Sequence, residues 1–150
     1  MTLGLLLLSA CEARELVPAV AVSKSDVHAS IKSKEFTMWM TVGDRRFTVT
    51  LADTEAARTF ASQLPLSLDM AELNGNEKYA DLSKELPTEP IQPGAILSGD
   101  LMLYGSKTVV LFYEPFRSSY SYTRLGRVDD PGELARVLGR GTARIAFSQE

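Results

Sequence analysis

Tyrosine and arginine side chains concentrate in the second half of the chain. The set consists of Tyr104, Tyr113, Tyr120, Tyr122 and Arg124. If residues 120–128 form a strand, side-chain alternation places Tyr120, Tyr122 and Arg124 on one face. Tyrosine rings stack on planar groups and guanidinium groups bind carboxylates, so this set predicts a site for a small organic ligand or a peptide. Packing of the same rings inside the fold is the alternative.

Glu77 and Tyr79 extend this candidate site. They follow Asn74-Gly75-Asn76, a sequence typical of turns, and we expect them in the loop after it. A carboxylate beside tyrosines can act as a general base or bind a ligand cation. Capping a turn or pairing with an arginine is the structural alternative for Glu77.

Composition excludes several other kinds of chemistry. The 150 residues contain 16 Lys and Arg against 19 Asp and Glu, for a net charge of −3, so we expect no nucleic-acid partner. One Cys and one His cannot form a Cys/His metal site, and His28 stands alone in a polar segment. No glycine-rich phosphate loop precedes a helix. The sequence therefore predicts neither a metal nor a cofactor.

The first residues indicate export and lipid attachment. Residues 3–8 are mostly apolar but far shorter than the roughly 20 residues that span a bilayer. Leu8-Ser9-Ala10-Cys11 resembles a bacterial lipobox, although no Lys or Arg precedes the apolar run. We therefore expect a lipoprotein-type signal peptide over residues 1–10, lipidation of Cys11, a tether over 11–34 and a domain over 35–150. Such a protein would be attached to a membrane of the cell envelope and face the periplasm or the exterior. A buried Cys behind an apolar strand is the alternative.

The domain itself is predicted to be a β-barrel with two helices. Period-two alternation predicts a hairpin over residues 36–51 and strands near 66–70, 100–104, 108–113, 120–128 and 142–148. A helix is predicted over residues 54–64 with Asp53 as N-cap, and a second after Asp130, with Gly139 ending it. The absence of a βαβ rhythm favours a mainly β fold, a closed or nearly closed barrel capped by these helices.

Three segments resemble the small bacterial cyclophilin-like family. They are LSLDM with LNGNEKY (residues 66–79), PG with GDLMLYG and VLFY (93–113), and SYSYTRLGRVDD (119–130). The similarity covers roughly residues 36–148 and implies a cyclophilin-like β-barrel closed by two helices. The motifs of active cyclophilins, a Phe-His-Arg type motif and a Phe-Met-x-Gln-Gly-Gly run, are absent from the chain.

The resemblance leaves three hypotheses for function. The first is a lipid-anchored module that binds a small organic molecule or a peptide at the barrel mouth, and it rests on Tyr104, Tyr113, Tyr120, Tyr122 and Arg124. The second is a weak or altered prolyl isomerase, for which the residues that stabilise a twisted peptide bond are missing. The third is a redox-associated accessory enzyme that uses Glu77 and a tyrosine as acid and base. We expect the first, without isomerase activity.

Overall fold

The computed structural model describes residues 35–150 of the chain. The predicted signal peptide (1–10), Cys11 and the predicted tether to residue 34 lie outside the described residues. Across residues 35–150, no helix has the length and apolar character needed to cross a bilayer.

Eight antiparallel strands form a closed barrel in the order β1-β10-β3-β4-β7-β6-β9-β2. Their bounds are β1 (Thr37–Val42), β2 (Arg45–Leu51), β3 (Leu66–Leu73), β4 (Glu77–Asp81), β6 (Asp100–Tyr104), β7 (Thr108–Phe112), β9 (Thr123–Val128) and β10 (Ala143–Gln149). Two further strands, β5 (Gly94–Ile96) and β8 (Phe116–Ser118), pair in a separate sheet. The predicted closed barrel is confirmed.

Alternation along each strand divides the barrel wall into an inner and an outer face. On β7, Val109 and Leu111 belong to the main core, whereas Val110 and Phe112 belong to a separate apolar cluster. Because every β7 residue from 109 to 112 is buried, something must cover the outer wall here. The β5–β8 sheet supplies part of that cover, since Ile96 and Phe116 pack into the outer cluster.

Two helices contribute side chains to the main core. Helix α1 (Glu55–Ser62) buries Ala56, Ala57 and Phe60, and the Phe60 ring meets Phe147 edge-on at 5.4 Å. Helix α2 (Leu134–Leu138) buries Leu134 and Leu138 and ends at Gly139, which has a positive φ of 62° as predicted. The barrel interior is thus filled from the wall and from both helices.

Both predicted helix N-caps are wrong. Thr54, not Asp53, caps α1, because its hydroxyl accepts the Ala57 amide at 3.1 Å while donating to the Arg124 carbonyl at 2.8 Å. Asp130 lies too far ahead of α2, since a turn in which the Leu134 amide bonds the Pro131 carbonyl comes first. Glu133 occupies the cap position and makes no side-chain capping bond.

The cap of α1 gives a direct comparison of two neighbouring residues. We expect Thr54→Ala to lower the free energy of unfolding by about 1–2 kcal/mol, because two hydrogen bonds are lost at a part-buried site. Asp53→Ala should change it by less than about 0.5 kcal/mol, because the Asp53–Arg58 pair is exposed on both sides. Urea denaturation of both variants measures the difference, and equal effects would contradict this assignment of the cap.

Candidate ligand-binding groove

A groove runs along the outer wall of the barrel. It has a volume of about 380 Å³, within the range of small-ligand sites. Its lining comes from β4, β6, β7, β8, the end of β3 and the turn that follows it, together with residues that precede β9. The lining residues are Leu73, Asn74, Glu77, Tyr79, Tyr104, Thr108, Val110, Phe116, Tyr120 and Tyr122.

Register explains why these side chains meet on the outer wall. On the β4–β7 ladder, Tyr79 faces Val110. The neighbouring pair, Lys78 and Leu111, is fully buried, and Leu111 belongs to the core inside the barrel. Paired residues share a face of the sheet, so Tyr79 and Val110 point outwards while Lys78 points inwards. The ligand site was predicted at the mouth of the barrel, whereas the groove that these side chains line lies on its outer wall.

Aromatic contacts hold the floor of the groove. Tyr122 is buried and meets Phe112 edge-on, with ring centroids 5.5 Å apart. Phe112 in turn lies 5.4 Å from Phe116 of the small sheet. Such aromatic pairs stabilise the fold by more than the burial of their apolar area alone, so the rings at the floor of the groove are well packed.

Exposed tyrosines form the sides of the groove. Tyr104 lies 5.8 Å from Tyr122 and 6.1 Å from Tyr120 between ring centroids, the latter in an edge-on arrangement. Tyr104 is 49% exposed and Tyr120 62% exposed, which is high for large aromatic side chains. Exposed aromatic rings gathered beside a recess are typical of interaction sites.

Glu77 is the only carboxylate that residues 35–150 contribute to the lining, and they contribute no Lys, Arg or His to it. It begins β4 opposite Phe112 and is half-buried, rather than lying in a loop as predicted. Among the described residues, no basic side chain forms a salt bridge with it. Burial raises the pKa of Glu77, and the negative charge of Glu72 raises it further.

Five of the seven residues predicted to bind a ligand line this groove. They are Glu77, Tyr79, Tyr104, Tyr120 and Tyr122. Burial raises the pKa of Tyr122, a hydrogen bond with Ser118 opposes this effect, and the negative charge of Glu77 adds to the rise. The remaining two predicted residues, Tyr113 and Arg124, do not line it.

Tyr113 belongs to a polar cluster that faces the barrel interior. Its hydroxyl donates to Glu72, whose other carboxylate oxygen lies 2.9 Å from the ammonium group of Lys78. Burial raises the pKa of Tyr113, and the bond to Glu72 raises it further. Burial alone would raise the pKa of Glu72, but bonds from Tyr113 and Lys78 outweigh it and lower that pKa. Tyr113, Glu72 and Lys78 pair with one another in this cluster, which favours a structural role.

Arg124 does not line the groove, and the strand that carries it begins later than predicted. β9 starts at Thr123, and Tyr122 forms an isolated bridge with Ile91 through two 2.9 Å backbone bonds. Tyr122 belongs to the outer cluster and Thr123 lies opposite Leu103 of the main core, so both are buried although they point to opposite faces. Arg124 uses its carbonyl to accept the Thr54 hydroxyl, and its side chain is outside the groove.

Sequence reasoning missed the apolar lining residues Leu73, Val110 and Phe116. A usable signal existed for Val110, because residues 109–112 are apolar at every position and so predict cover on both faces. A shallower recess of about 500 Å³ lies on the other side of Tyr104 and Tyr122, bounded by Thr88, Pro90 and Ser121 among others. No group of three or more His, Cys, Asp or Glu within residues 35–150 is arranged to hold a metal ion.

Glu77 should reduce stability near neutral pH. Because the pKa of Glu77 is raised in the native state, the native state favours the protonated carboxyl group over the carboxylate. Glu77 therefore contributes most to the free energy of unfolding below its ordinary pKa of 4.5, and this contribution is lost as pH rises through the raised pKa. We expect Glu77→Gln to be more stable than the wild type at pH 7, by at most about 1 kcal/mol because solvent screens a half-exposed group.

The measurement is thermal unfolding of both proteins between pH 3 and pH 8. The advantage of Glu77→Gln should disappear below pH 4, and Glu55→Gln, at an exposed position of α1, serves as the control. A Glu77→Gln protein that is less stable at pH 7 would show that the carboxylate has a structural partner.

The eight-stranded antiparallel barrel with two core-packing helices over residues 35–150 is consistent with a cyclophilin-like barrel. The model of the cyclophilin-like family matches residues 40–148, and the chain belongs to this family. Its fold is similar to the solution structure of the hypothetical protein AF2241 from Archaeoglobus fulgidus, with a TM-score of 0.51 and 17% identity, over 77% of this chain and 95% of that one. No curated protein shows detectable sequence similarity to the chain.

Proposed function

We propose that the domain binds a small organic molecule in the outer-wall groove and acts as a binding module rather than an enzyme. The observation that carries this proposal is the half-buried Glu77 carboxylate, without a basic partner among residues 35–150, beside exposed tyrosines in one groove. Unpaired charge at a partly desolvated position and exposed aromatic area both cost stability in the free protein. Features of this kind are typical of binding sites, where a ligand offsets the cost.

Prolyl isomerase activity is not part of the proposal. Rotation about a peptide bond faces a barrier of roughly 18–20 kcal/mol, which an isomerase must lower by stabilising the twisted bond. Active cyclophilins use an arginine for this purpose, and no arginine of the described residues lines the groove. A protease-coupled assay with proline peptides should give no rate above background. Acceleration that Tyr104→Ala abolishes would contradict this part of the proposal.

Native mass spectrometry of the full chain, purified from its own host, tests ligand binding even though the identity of the ligand is unknown. We expect a bound small molecule that is retained by Phe36→Ala and lost from Tyr104→Ala. Phe36 is a matched control because it is 62% exposed and lies outside the groove. An empty wild-type protein, or an adduct retained by both variants, would contradict the proposed site.

We further propose that Cys11 carries a lipid anchor that holds the protein at the cell envelope. The proposal is supported by the lipobox-like sequence Leu8-Ser9-Ala10-Cys11. Two or three acyl chains would attach the protein stably, where one chain binds only marginally. The wild type should partition into the detergent phase and show an acylated N-terminal peptide, and Cys11→Ser should remain in the aqueous phase. Equal partitioning of the two proteins would contradict lipidation.

A further inference from the structure

We infer that the groove recognises an organic ammonium cation, with Glu77 as its counter-charge and the surrounding tyrosines as an aromatic cage. This inference rests on the proposed function and specifies the chemical class of the ligand. It depends on the charge of the groove, on the arrangement of its rings and on its size.

The charge of the groove selects against anions and neutral ligands. Two other carboxylates with low exposure form ion pairs. Glu72 pairs with Lys78 at 2.9 Å, and Asp100 pairs with Arg127 at 2.7 Å. Glu77 has no such partner in the part of the chain that the structure describes. A neutral ligand would remove water from this carboxylate without replacing its hydration, and an anion would be repelled. A cation supplies the missing charge.

The rings are arranged to favour the same ligand. Tyr79 comes from β4, Tyr104 from β6, and Tyr120 and Tyr122 from the segment before β9, so the rings converge from three parts of the fold. Tyr104 and Tyr120 stand at 80° to each other, as adjacent walls of a box do. Ring faces attract cations, and cages of this kind bind quaternary ammonium groups. No lysine or arginine from residues 35–150 is part of the lining, so none occupies the cage.

The size of the groove fits a small ligand. A volume of about 380 Å³ lies at the lower end of ligand sites, with room for a trimethylammonium group and a short polar substituent. Asn74 and Thr108 in the lining offer polar groups for such a substituent. The groove is open along one side, so the ligand can enter without a change in the barrel.

Choline and its neutral isostere 3,3-dimethylbutan-1-ol test the inference, because they share a shape and differ in charge. In titrations of the full chain followed by amide chemical shifts, choline should shift Glu77, Tyr79, Tyr104 and Tyr122. The isostere should bind at least tenfold more weakly. Glu77→Gln should lose at least tenfold in choline affinity, and Glu55→Gln, which removes an equal charge at an exposed position of α1 outside the groove, should lose none.

The outcomes separate the two levels of the proposal. If both probes shift the groove residues equally and Glu77→Gln changes neither, cation recognition is wrong and the ligand-binding groove remains. If neither probe shifts any groove residue at millimolar concentration, both the cation inference and the proposed site are wrong. Choline binding that survives in Tyr104→Ala would overturn the role of the cage, whereas loss of binding there and in Glu77→Gln would support it.

Discussion

Replacing Lys78 by Met is expected to lower the free energy of unfolding by about 3–5 kcal/mol, the typical cost of removing one partner of a buried ion pair. Lys78 is fully buried, and its ammonium group has three oxygen atoms as close partners. Two contacts go to the carbonyls of Gly139 and Gly141, at 2.9 and 2.6 Å, and the third to Glu72. Methionine fills similar space but leaves all three acceptors without a donor.

Consequences of this substitution extend beyond one strand. The two glycine carbonyls belong to the connection between α2 and β10, so Lys78 joins β4 to a segment more than sixty residues later in the chain. Because domains of this size are stable by only about 5–15 kcal/mol, the loss would remove a large fraction of the total. The effect should fall towards the lower end of the range, since Glu72 is partly exposed and retains its bond from Tyr113.

Urea denaturation with Lys84→Met as control measures the effect. Lys84 is exposed, so the same change of side chain there should alter stability by less than about 0.5 kcal/mol. The double variant Glu72→Met/Lys78→Met should recover part of the loss, because it also removes the carboxylate left without its cation. A Lys78→Met protein as stable as Lys84→Met would show that the bonds between the buried ammonium group and the connection from α2 to β10 do not stabilise the barrel.

A second large effect is expected from Gly126→Ala, at about 2–3 kcal/mol. A Cβ atom at position 126 would lie 2.6 Å from the Thr50 carbonyl oxygen and 3.3 Å from the Leu51 Cα. Both are backbone atoms of β2 and cannot rotate away. On its other side Gly126 faces Leu101 of β6, so β9 has no free direction in which to move.

Gly126 occupies this position because of a bulge in β9. Leu101 pairs with Gly126 and Met102 with Arg124, which leaves Leu125 as an extra residue. The matched control is Gly132→Ala, whose added Cβ would come no closer than 3.6 Å to Asp130 and should be nearly neutral. Thermal or urea unfolding compares the two, and equal stabilities would mean that β2 and β9 can separate at little cost.

Much of the barrel could be predicted from local sequence patterns. Alternation of Met38, Met40 and Val42 indicated the inner face of β1, and Gly43 and Asn74-Gly75 marked turns that the structure confirms with positive φ values. The end of the second helix at Gly139 was equally predictable. These features depend on residues close together in sequence, where side-chain period and turn chemistry act directly.

Features that depend on distant partners could not be predicted in the same way. β5 and β8 have three residues each and exist only because they pair with one another. β9 begins only at Thr123, because the backbone of Tyr122 pairs with Ile91 in a proline-rich loop and not with β6. The tyrosines and Glu77 were identified as candidates from residue type, but their position on the outer wall follows from strand register, which only the fold specifies.

Closure of the barrel has a consequence for folding kinetics. β1 pairs with its neighbour β2 and also with β10, and the side chains of Thr37 and Glu150 meet across 113 positions of sequence. A ring closed by such distant pairings has high contact order, which places folding in the millisecond-to-second range. Until the ring closes, the inward-facing β7 residues Val109 and Leu111 lack the complete core that buries them. Refolding yield should therefore fall as protein concentration rises, because open chains can associate through β7 before the last strands meet.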